Sequence, residues 1–276
     1  MSNAIVRRMR GAAGVASVVA LTAGSMACAS ISPQQEAQLG QQYAAQINAE
    51  LPIMNDATAS RYLNQVGDEI ARRGGRQIGY TFYIVNTDVV NAFAVPGGYI
   101  YLNRGLIEAT DNLAELAGVL AHEIGHVEER HSVEQLERAQ TANVGLTLAY
   151  VLLGRQPGTA ERAAIDLGGG LYFANHSRAA ENEADAVAVR LLANSGIDPN
   201  GMVTFFEELM SSRNRSPSQL EQWFSTHPTT QDRIDHVRSL IAQLPASQRR
   251  GTTNTQAFQS FKQTVARYPA PTDRRR

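Results

Sequence analysis

The chain has 276 residues, of which 43% are hydrophobic and 18% are charged, a composition typical of a folded globular protein rather than a disordered or fibrous one. Its formal net charge is -1 at pH 7, and no Lys/Arg run that could follow a phosphate backbone occurs before the last few residues. Nucleic acid is therefore not an expected partner, and one catalytic domain is the simplest organisation.

Residues 1–28 have the pattern of an export signal. Arginines among the first ten residues precede an apolar stretch of small residues over 11–27, and no acidic residue occurs before Glu36. The apolar stretch is shorter than the roughly 20 residues that span a bilayer, which favours cleavage over a retained membrane anchor.

Cys28 is the only cysteine of the chain and stands where the signal should end. Residues 25–28 resemble the lipobox of bacterial lipoproteins, whereas residues 27–29 also fit ordinary signal cleavage, and both alternatives stay open. In either case the domain after residue 29 contains no cysteine. Any metal ligands in it must therefore be histidines and carboxylates.

The first elements are predicted to be helices. Pro33 suits the first position of a helix over 34–50, and a second helical pattern runs from 57 to 73 and stops at two glycines. Residues 80–85 are aromatic and β-branched, which predicts a strand. Two further extended runs, 92–95 and 99–102, flank Pro-Gly-Gly and predict a hairpin. This small antiparallel sheet either serves only for packing, or offers an edge strand that holds an extended peptide.

A helix predicted from Asn112 to about residue 130 carries the sequence His122-Glu123-Ile124-Gly125-His126. Four residues turn a helix by about 400°, so the two histidines share one face and can bind one metal ion. Glu123 lies close enough to accept a proton from a metal-bound water without being a ligand. The pattern indicates a hydrolytic zinc site.

Residues 144–153 form an apolar stretch that is too short to span a bilayer. A buried core helix is the preferred interpretation. A loop or plug over the active site and an interfacial membrane contact remain alternatives.

A second helical pattern, from about residue 177 to 195, supplies carboxylates. Glu181 and Asp185 are one turn apart and share a face. Glu181 can complete a His2Glu ligand set that leaves a fourth position for water, and Asp185 can accept the N–H of a ligating histidine. Glu183 lies about 200° round the helix from Glu181 and is assigned to the solvated face.

The other histidines receive structural interpretations. His131 and His176 are each five residues from a proposed ligand, about 140° round a helix, and are assigned to the surface or to packing. His236 lies on the last predicted helix, 230–244, and is expected to be exposed. Residues 245–276 are polar and are predicted to form a C-terminal tail.

The two motifs together, His122-Glu-Ile-Gly-His126 and Glu181-Asn-Glu-Ala-Asp185, resemble the zinc metallopeptidase family of HtpX, the CAAX prenyl endopeptidases, Oma, BepA and LoiP. The run that begins at Asn91 resembles the strand before that family's metal helix. His227-Pro228, followed by Arg233-Ile234, resembles its C-terminal segment. The resemblance covers about residues 33–240.

This resemblance implies that His122, His126 and Glu181 bind one Zn2+ per chain, with Glu123 as base and Asp185 as an orienting or proton-donating carboxylate. It also implies that His227 approaches the metal, either masking it in a resting state or steadying the oxyanion. The expected fold is α+β, mainly α, with a zincin-like (gluzincin) metalloprotease domain over 33–244 and a small antiparallel sheet beside the metal helix.

The expected function is that of a zinc-dependent endopeptidase in protein quality control. Its expected location is the periplasm, with anchoring to the outer membrane if Cys28 is lipidated, and its expected substrates are misfolded envelope or outer-membrane proteins. A stand-alone, LoiP-like protease is the nearest layout, because the chain has neither the long apolar helices of HtpX nor the repeats of BepA. The alternative function is a zinc-dependent, chaperone-like binder with latent proteolysis.

Overall fold

The computed structural model describes residues 30–138, 176–213 and 217–270. The fold class is confirmed: these residues are mainly helical, with one small sheet. The helices are α1 (Pro33–Glu50), α2 (Ala57–Ala71), α3 (Arg104–Ala109), α4 (Leu113–Glu128), α5 (Arg178–Asn194), α6 (Asn200–Ser212), α7 (Pro217–Thr226), α8 (Gln231–Gln243) and α9 (Gln256–Arg267). Residues 131–138 are also helical. The strands are β1 (Thr81–Val85), β2 (Ala92–Val95) and β3 (Tyr99–Asn103).

The three strands form one mixed sheet in the order β1-β3-β2. The predicted hairpin is confirmed, since β2 and β3 pair in antiparallel fashion through a turn in which Gly97 and Gly98 have φ values of 79° and 90°. Glycine adopts these left-handed angles without steric cost. The sheet is not purely antiparallel as predicted. The short connection 86–91 carries the chain across the sheet, so that β3 lies between the first two strands and runs parallel to β1.

Helix α4 is the central element, and every residue from Leu113 to Val127 is buried. Its closest helical neighbour is α5. A Cβ atom built on Gly125 would lie only 2.7 Å from the carbonyl oxygen of Ala184, so the absence of a side chain at Gly125 lets the two helix backbones approach. This close approach places the carboxylates of α5 beside the histidines of α4.

The prediction of a polar tail from residue 245 is wrong for its described part. Helix α9 lies within that range and buries Phe258, Phe261 and Val265 in the main hydrophobic core. These three residues recur at helical spacing on an otherwise polar segment. The prediction relied on the polar composition of the segment and missed this amphipathic helix. The folded domain therefore continues beyond the predicted boundary at 244.

Two predictions concern residues outside the described ranges: the export signal over 1–28 and the role of the apolar stretch 144–153. Within the described ranges, no helix is both long and apolar enough to cross a bilayer.

Candidate metal centre

The two histidines of α4 are positioned by a capped and fully buried helix. Asn112 begins the helix as predicted, because its side-chain oxygen accepts a hydrogen bond from the backbone N–H of Glu115 at 3.1 Å. The Glu115 carboxylate accepts from the N–H of Asp111, one residue before the cap. One helical turn places the Nε2 atoms of His122 and His126 3.0 Å apart.

Glu181 reaches the same point from the first turn of α5, which is capped by Ser177. Its Oε1 lies 3.2 Å from His126 Nε2, and its Oε2 lies 3.5 Å from His122 Nε2. Ligands bound at 2.0–2.2 Å to a tetrahedral zinc ion are about 3.3–3.6 Å apart. The spacing of the three predicted ligands is thus close to that of a zinc site.

His227 joins this group from the turn between α7 and α8. Its Nδ1 lies 3.3 Å from His122 Nε2 and 3.2 Å from Glu181 Oε1. One ligand atom from each of the four buried residues His122, His126, Glu181 and His227 lies within 4.8 Å of the others. The structure therefore brings His227 to the fourth corner of the candidate site.

The turn that carries His227 is anchored on both sides. Trp223 donates its indole N–H to Thr229 at 3.2 Å, and the hydroxyl of Thr226 donates to the side-chain oxygen of Asn91 at 3.2 Å. Asn91 immediately precedes β2, which is an edge strand of the sheet. The turn thus bridges the metal centre and this edge strand.

Asp185 lies where the sequence predicts it, beside the candidate ligand His122. Its Oδ1 is 2.9 Å from His122 Nδ1, the nitrogen that points away from the metal group. Arg233 grips both oxygens of Asp185 at 2.6 and 2.8 Å and also lies 2.5 Å from Glu181 Oε2. Arg233 lies in the segment that resembles the family's C-terminal part, but neither its spacing nor the Thr230 cap indicates that its side chain reaches Asp185.

His131 and His176, which the sequence assigned to the surface or to packing, both pack against His126. His131 is 3% exposed and its Nδ1 lies 2.8 Å from His126 Nδ1, while His176 stacks on the His126 ring at 3.8 Å. A helical wheel does not describe either position, because α4 ends at Glu128 and α5 begins at Arg178, so neither histidine continues the helix of its neighbour.

Two assignments to solvent are partly right. Glu183 is 61% exposed, yet its carboxylate lies 3.1 Å from His131 Nε2. His236 is half-buried and lines a cavity of about 220 Å³ together with Glu181 and Arg233.

Glu123 is fully buried beside the ligand group. Among the described residues, neither of its carboxylate oxygens has a hydrogen-bond partner, and His227 Nε2 lies 3.5 Å from its Oε1. Burial raises the pKa of Glu123, although His227 and His122 oppose that shift. An unpaired buried carboxylate is costly and suits a group that holds and releases a proton.

The other two carboxylates have the opposite shift. Burial alone would raise the pKa of Glu181, but His227, Arg233 and His122 lower it well below its usual range. Burial is likewise outweighed at Asp185, where the Arg233 guanidinium lowers the pKa. Both groups are therefore ionised at neutral pH, which is the state that a carboxylate needs in order to bind a metal ion.

The histidines differ from one another. Burial lowers the pKa of His126 well below its usual range. Burial and Arg233 also lower the pKa of His122, but Glu181 and Asp185 outweigh them and raise it to about 9. A metal ion would therefore have to displace a proton from His122, whereas His126 is already neutral at pH 7.

The donor set suits zinc. Three imidazoles and one carboxylate are nitrogen and oxygen ligands that zinc accepts in a tetrahedral arrangement, and the buried nitrogens face one another with lone pairs that a cation would stabilise. His122 and His126 each have a hydrogen-bond partner on the nitrogen that faces away from the group, as zinc-binding histidines commonly do.

Comparisons with known proteins agree with this chemistry. The model of peptidase family M48 matches residues 57–241. The chain is 32% identical to the beta-barrel assembly-enhancing protease of Yersinia pestis over 80% of its own length and 47% of that protein. It is 32% identical to the metalloprotease YcaL of Escherichia coli over 61% and 64% of the two chains. It is 28% identical to the mitochondrial metalloendopeptidase OMA1 of Schizosaccharomyces pombe over 77% and 62%.

The chain thus spans about half the length of the beta-barrel assembly-enhancing proteases that it matches. The match includes all the candidate ligands, because residues 122 to 227 fall inside the matched range. The predicted class, a zinc metallopeptidase, is confirmed, and the chain belongs to peptidase family M48.

Proposed function

We propose that this protein is a zinc-dependent endopeptidase of the bacterial cell envelope that degrades misfolded envelope or outer-membrane proteins. The observation that carries the proposal is the group of four buried ligand atoms within 4.8 Å of one another, beside the Glu123 carboxylate, which has no hydrogen-bond partner among the described residues. The name of the beta-barrel assembly-enhancing relatives supports the choice of substrate, and the export signal expected over 1–28 supports the location.

The reaction is hydrolysis of a peptide bond. A bound zinc ion supplies Lewis acidity for the scissile carbonyl and acidifies water. Glu123 accepts a proton from the attacking water and returns it to the amine nitrogen as the carbon–nitrogen bond breaks. Asp185 holds the Nδ1 proton of His122 and so fixes the orientation of that ring, and Arg233 holds Asp185.

His227 occupies the fourth corner of the site in this conformation, which supports a masked resting state. Catalytic zinc sites keep that corner for water or substrate, so His227 and its turn must move before hydrolysis. We further propose that the substrate then lies along the edge strand β2, which the turn now joins through Thr226 and Asn91.

Glu123→Gln tests the proposal. The variant should retain zinc, because Glu123 is not at a ligand position, and its casein cleavage should fall by at least about 100-fold. His122→Ala should lose both zinc and cleavage, and the exposed control Glu134→Gln should lose neither. Unchanged cleavage by Glu123→Gln would refute the proposed role.

The two possible roles of His227 predict opposite changes in the rate of casein cleavage. If His227 masks the site, His227→Ala should cleave casein faster than the wild type. If it steadies the oxyanion, the same variant should be slower by about 100- to 1,000-fold. Cleavage by the wild type that a chelator abolishes would also count against a purely chaperone-like function, which the protease names of the relatives do not favour.

Expected lipidation of Cys28 is tested separately. The mass of the mature N-terminus distinguishes a diacylated cysteine from a cleaved and unmodified chain.

A further inference from the structure

His126 is partnered in a way that neither the motif nor the family match assigns. Its Nε2 faces Glu181 and His122, while its Nδ1 lies 2.8 Å from Nδ1 of a second imidazole, His131. The other nitrogen of His131 lies 3.1 Å from the carboxylate of Glu183. The three side chains form a continuous row from the metal group to the protein surface.

Metal binding permits only one arrangement of protons along this row. Ligation through Nε2 leaves the proton of His126 on Nδ1, so this nitrogen must donate to His131. Nδ1 of His131 must then be the acceptor, and its own proton lies on Nε2. From there it is donated to the carboxylate of Glu183, so every nitrogen has a partner of the correct kind.

We propose that His131 and Glu183 are positioning residues for the zinc ligand His126. They act through one defined tautomer of His131, which orients the His126 ring and increases its basicity towards the metal. This inference rests on the proposed zinc site, but it requires no peptide to be cleaved.

The backbone around His131 is built to hold this contact. Arg130, directly before it, has φ = 59°, a left-handed angle that is uncommon for a residue with a side chain, and this angle reverses the chain after α4. The Arg130 side chain compensates by binding the buried carboxylate of Glu36 at 2.8 Å and the carbonyl of Ile31 at 2.6 Å. On the other side, the hydroxyl of Ser132 donates to the carbonyl of Ala94 at 3.1 Å.

Packing alone does not explain the row. A residue needed only to fill space at position 131 would be apolar, whereas an imidazole at 3% exposure must satisfy two nitrogens, and both point at hydrogen-bonding groups. Glu183 contributes no burial, since its side chain is 61% exposed. Its observed contact is with the imidazole of His131.

Zinc affinity is the quantity to measure, by competition with a chelating dye on the full-length protein. His131→Phe keeps a ring but removes both nitrogens, and should raise the zinc Kd by about 10- to 100-fold. His131→Asn restores an acceptor near the position of Nδ1 and should recover most of that loss. Glu183→Ala should raise the Kd by about tenfold, at the low end of the same range.

Glu134→Ala is the matched control. Glu134 is an exposed carboxylate on the same helical segment as His131, and it pairs with Arg138 rather than with a histidine. Its zinc Kd should equal that of the wild type. Because Glu183 and Glu134 are both exposed, neither variant depends on repacking of the core.

Imidazole 15N NMR reports the tautomer directly, and the chain has only six histidines to assign. In the zinc-loaded wild type, His131 should be protonated at Nε2 and unprotonated at Nδ1. A proton on Nδ1 of His131, or an unchanged zinc Kd in both His131→Phe and Glu183→Ala, would overturn the inference. A wild type that shows the expected tautomer and affinities but leaves casein intact would support it while refuting the proposed function.

Discussion

The two histidines of one helical motif are held by different kinds of chemistry. On the His122 side, defined by Asp185 and Arg233, the partner of the imidazole is a buried carboxylate that an arginine grips at 2.6 and 2.8 Å. On the His126 side, defined by His131 and Glu183, the partner is a second imidazole, which in turn contacts the exposed carboxylate of Glu183.

This difference determines which side of the site can change its conformation. A buried ion is stable only while it keeps its partner of opposite charge. The His122 side therefore cannot rearrange without separating the buried charges of Asp185 and Arg233. The His126 side depends instead on where the backbone places His131. That placement is set from a distance, by residues that never contact the metal group.

The distant support is a cluster of charges around Glu36. Arg76 donates two hydrogen bonds to the Glu36 carboxylate, both at 2.9 Å, and Arg130 donates a third at 2.8 Å. Arg76 also donates to the carbonyl of Val127 near the end of α4. The cluster therefore ties α1 to the point where the chain turns towards His131.

The largest predicted effect comes from removing the arginine of the His122 side. Arg233→Met would remove the guanidinium that donates to both oxygens of the buried Asp185 carboxylate, and should lower the free energy of unfolding by about 3–5 kcal/mol. Urea unfolding of the zinc-loaded protein measures this loss.

Arg238→Met is the matched control for Arg233. Arg238 lies on the same helix but is 47% exposed, where it pairs with Asp235 and Glu207. Exposed pairs contribute about 0–1 kcal/mol, so this variant should unfold almost as the wild type does. Equal losses in the two variants would contradict the idea that buried charge holds the His122 side.

A smaller effect is expected from Glu36→Gln on the support of the His126 side. Losing charge-assisted hydrogen bonds to two arginines should cost about 1.5–3 kcal/mol at neutral pH. Despite burial, Arg76 and Arg130 lower the pKa of Glu36 below the ordinary value of 4.5. Its stabilisation is therefore complete above that pH and is lost as the pH falls through the lower, folded-state pKa.

The measurement is the difference in unfolding free energy between wild type and Glu36→Gln across the acidic range. The difference should shrink as the pH falls below 4.5. In the control Glu69→Gln, which breaks an exposed pair with Arg73, no difference should be seen at any pH. A gap that grows on acidification would contradict the assigned sign.

The sequence predicted what helical periodicity can specify. One turn separates His122 from His126 and Glu181 from Asp185, and the structure brings the first three side chains together, with Asp185 beside the outer nitrogen of His122. The helix starts followed from local capping chemistry, and the structure has them within a few residues of the predicted positions.

Periodicity could not predict groups that lie beyond the ends of helices. The position of His131 depends on the left-handed angle at Arg130, which no pattern of apolar residues indicates. Arg233 meets Asp185 only through tertiary packing of α8 against α5. The parallel pairing of β1 with β3 is likewise a matter of topology, because the same strand sequences fit either direction.

The smallest predicted effect separates the row of His131 from general loosening of its segment. Ser132 is the next residue along the chain and is also buried, but its hydroxyl donates to the carbonyl of Ala94 in the edge strand rather than to a histidine. Ser132→Ala should cost about 1 kcal/mol in unfolding free energy, the worth of one neutral hydrogen bond. It should leave the zinc Kd unchanged, because the imidazoles of His126 and His131 keep their partners.

If Ser132→Ala raised the zinc Kd as much as His131→Phe does, zinc affinity would depend on the rigidity of the whole segment around residue 131. The two sides of the site would then differ in the rigidity of their backbone and not in the hydrogen-bond partners of their histidines.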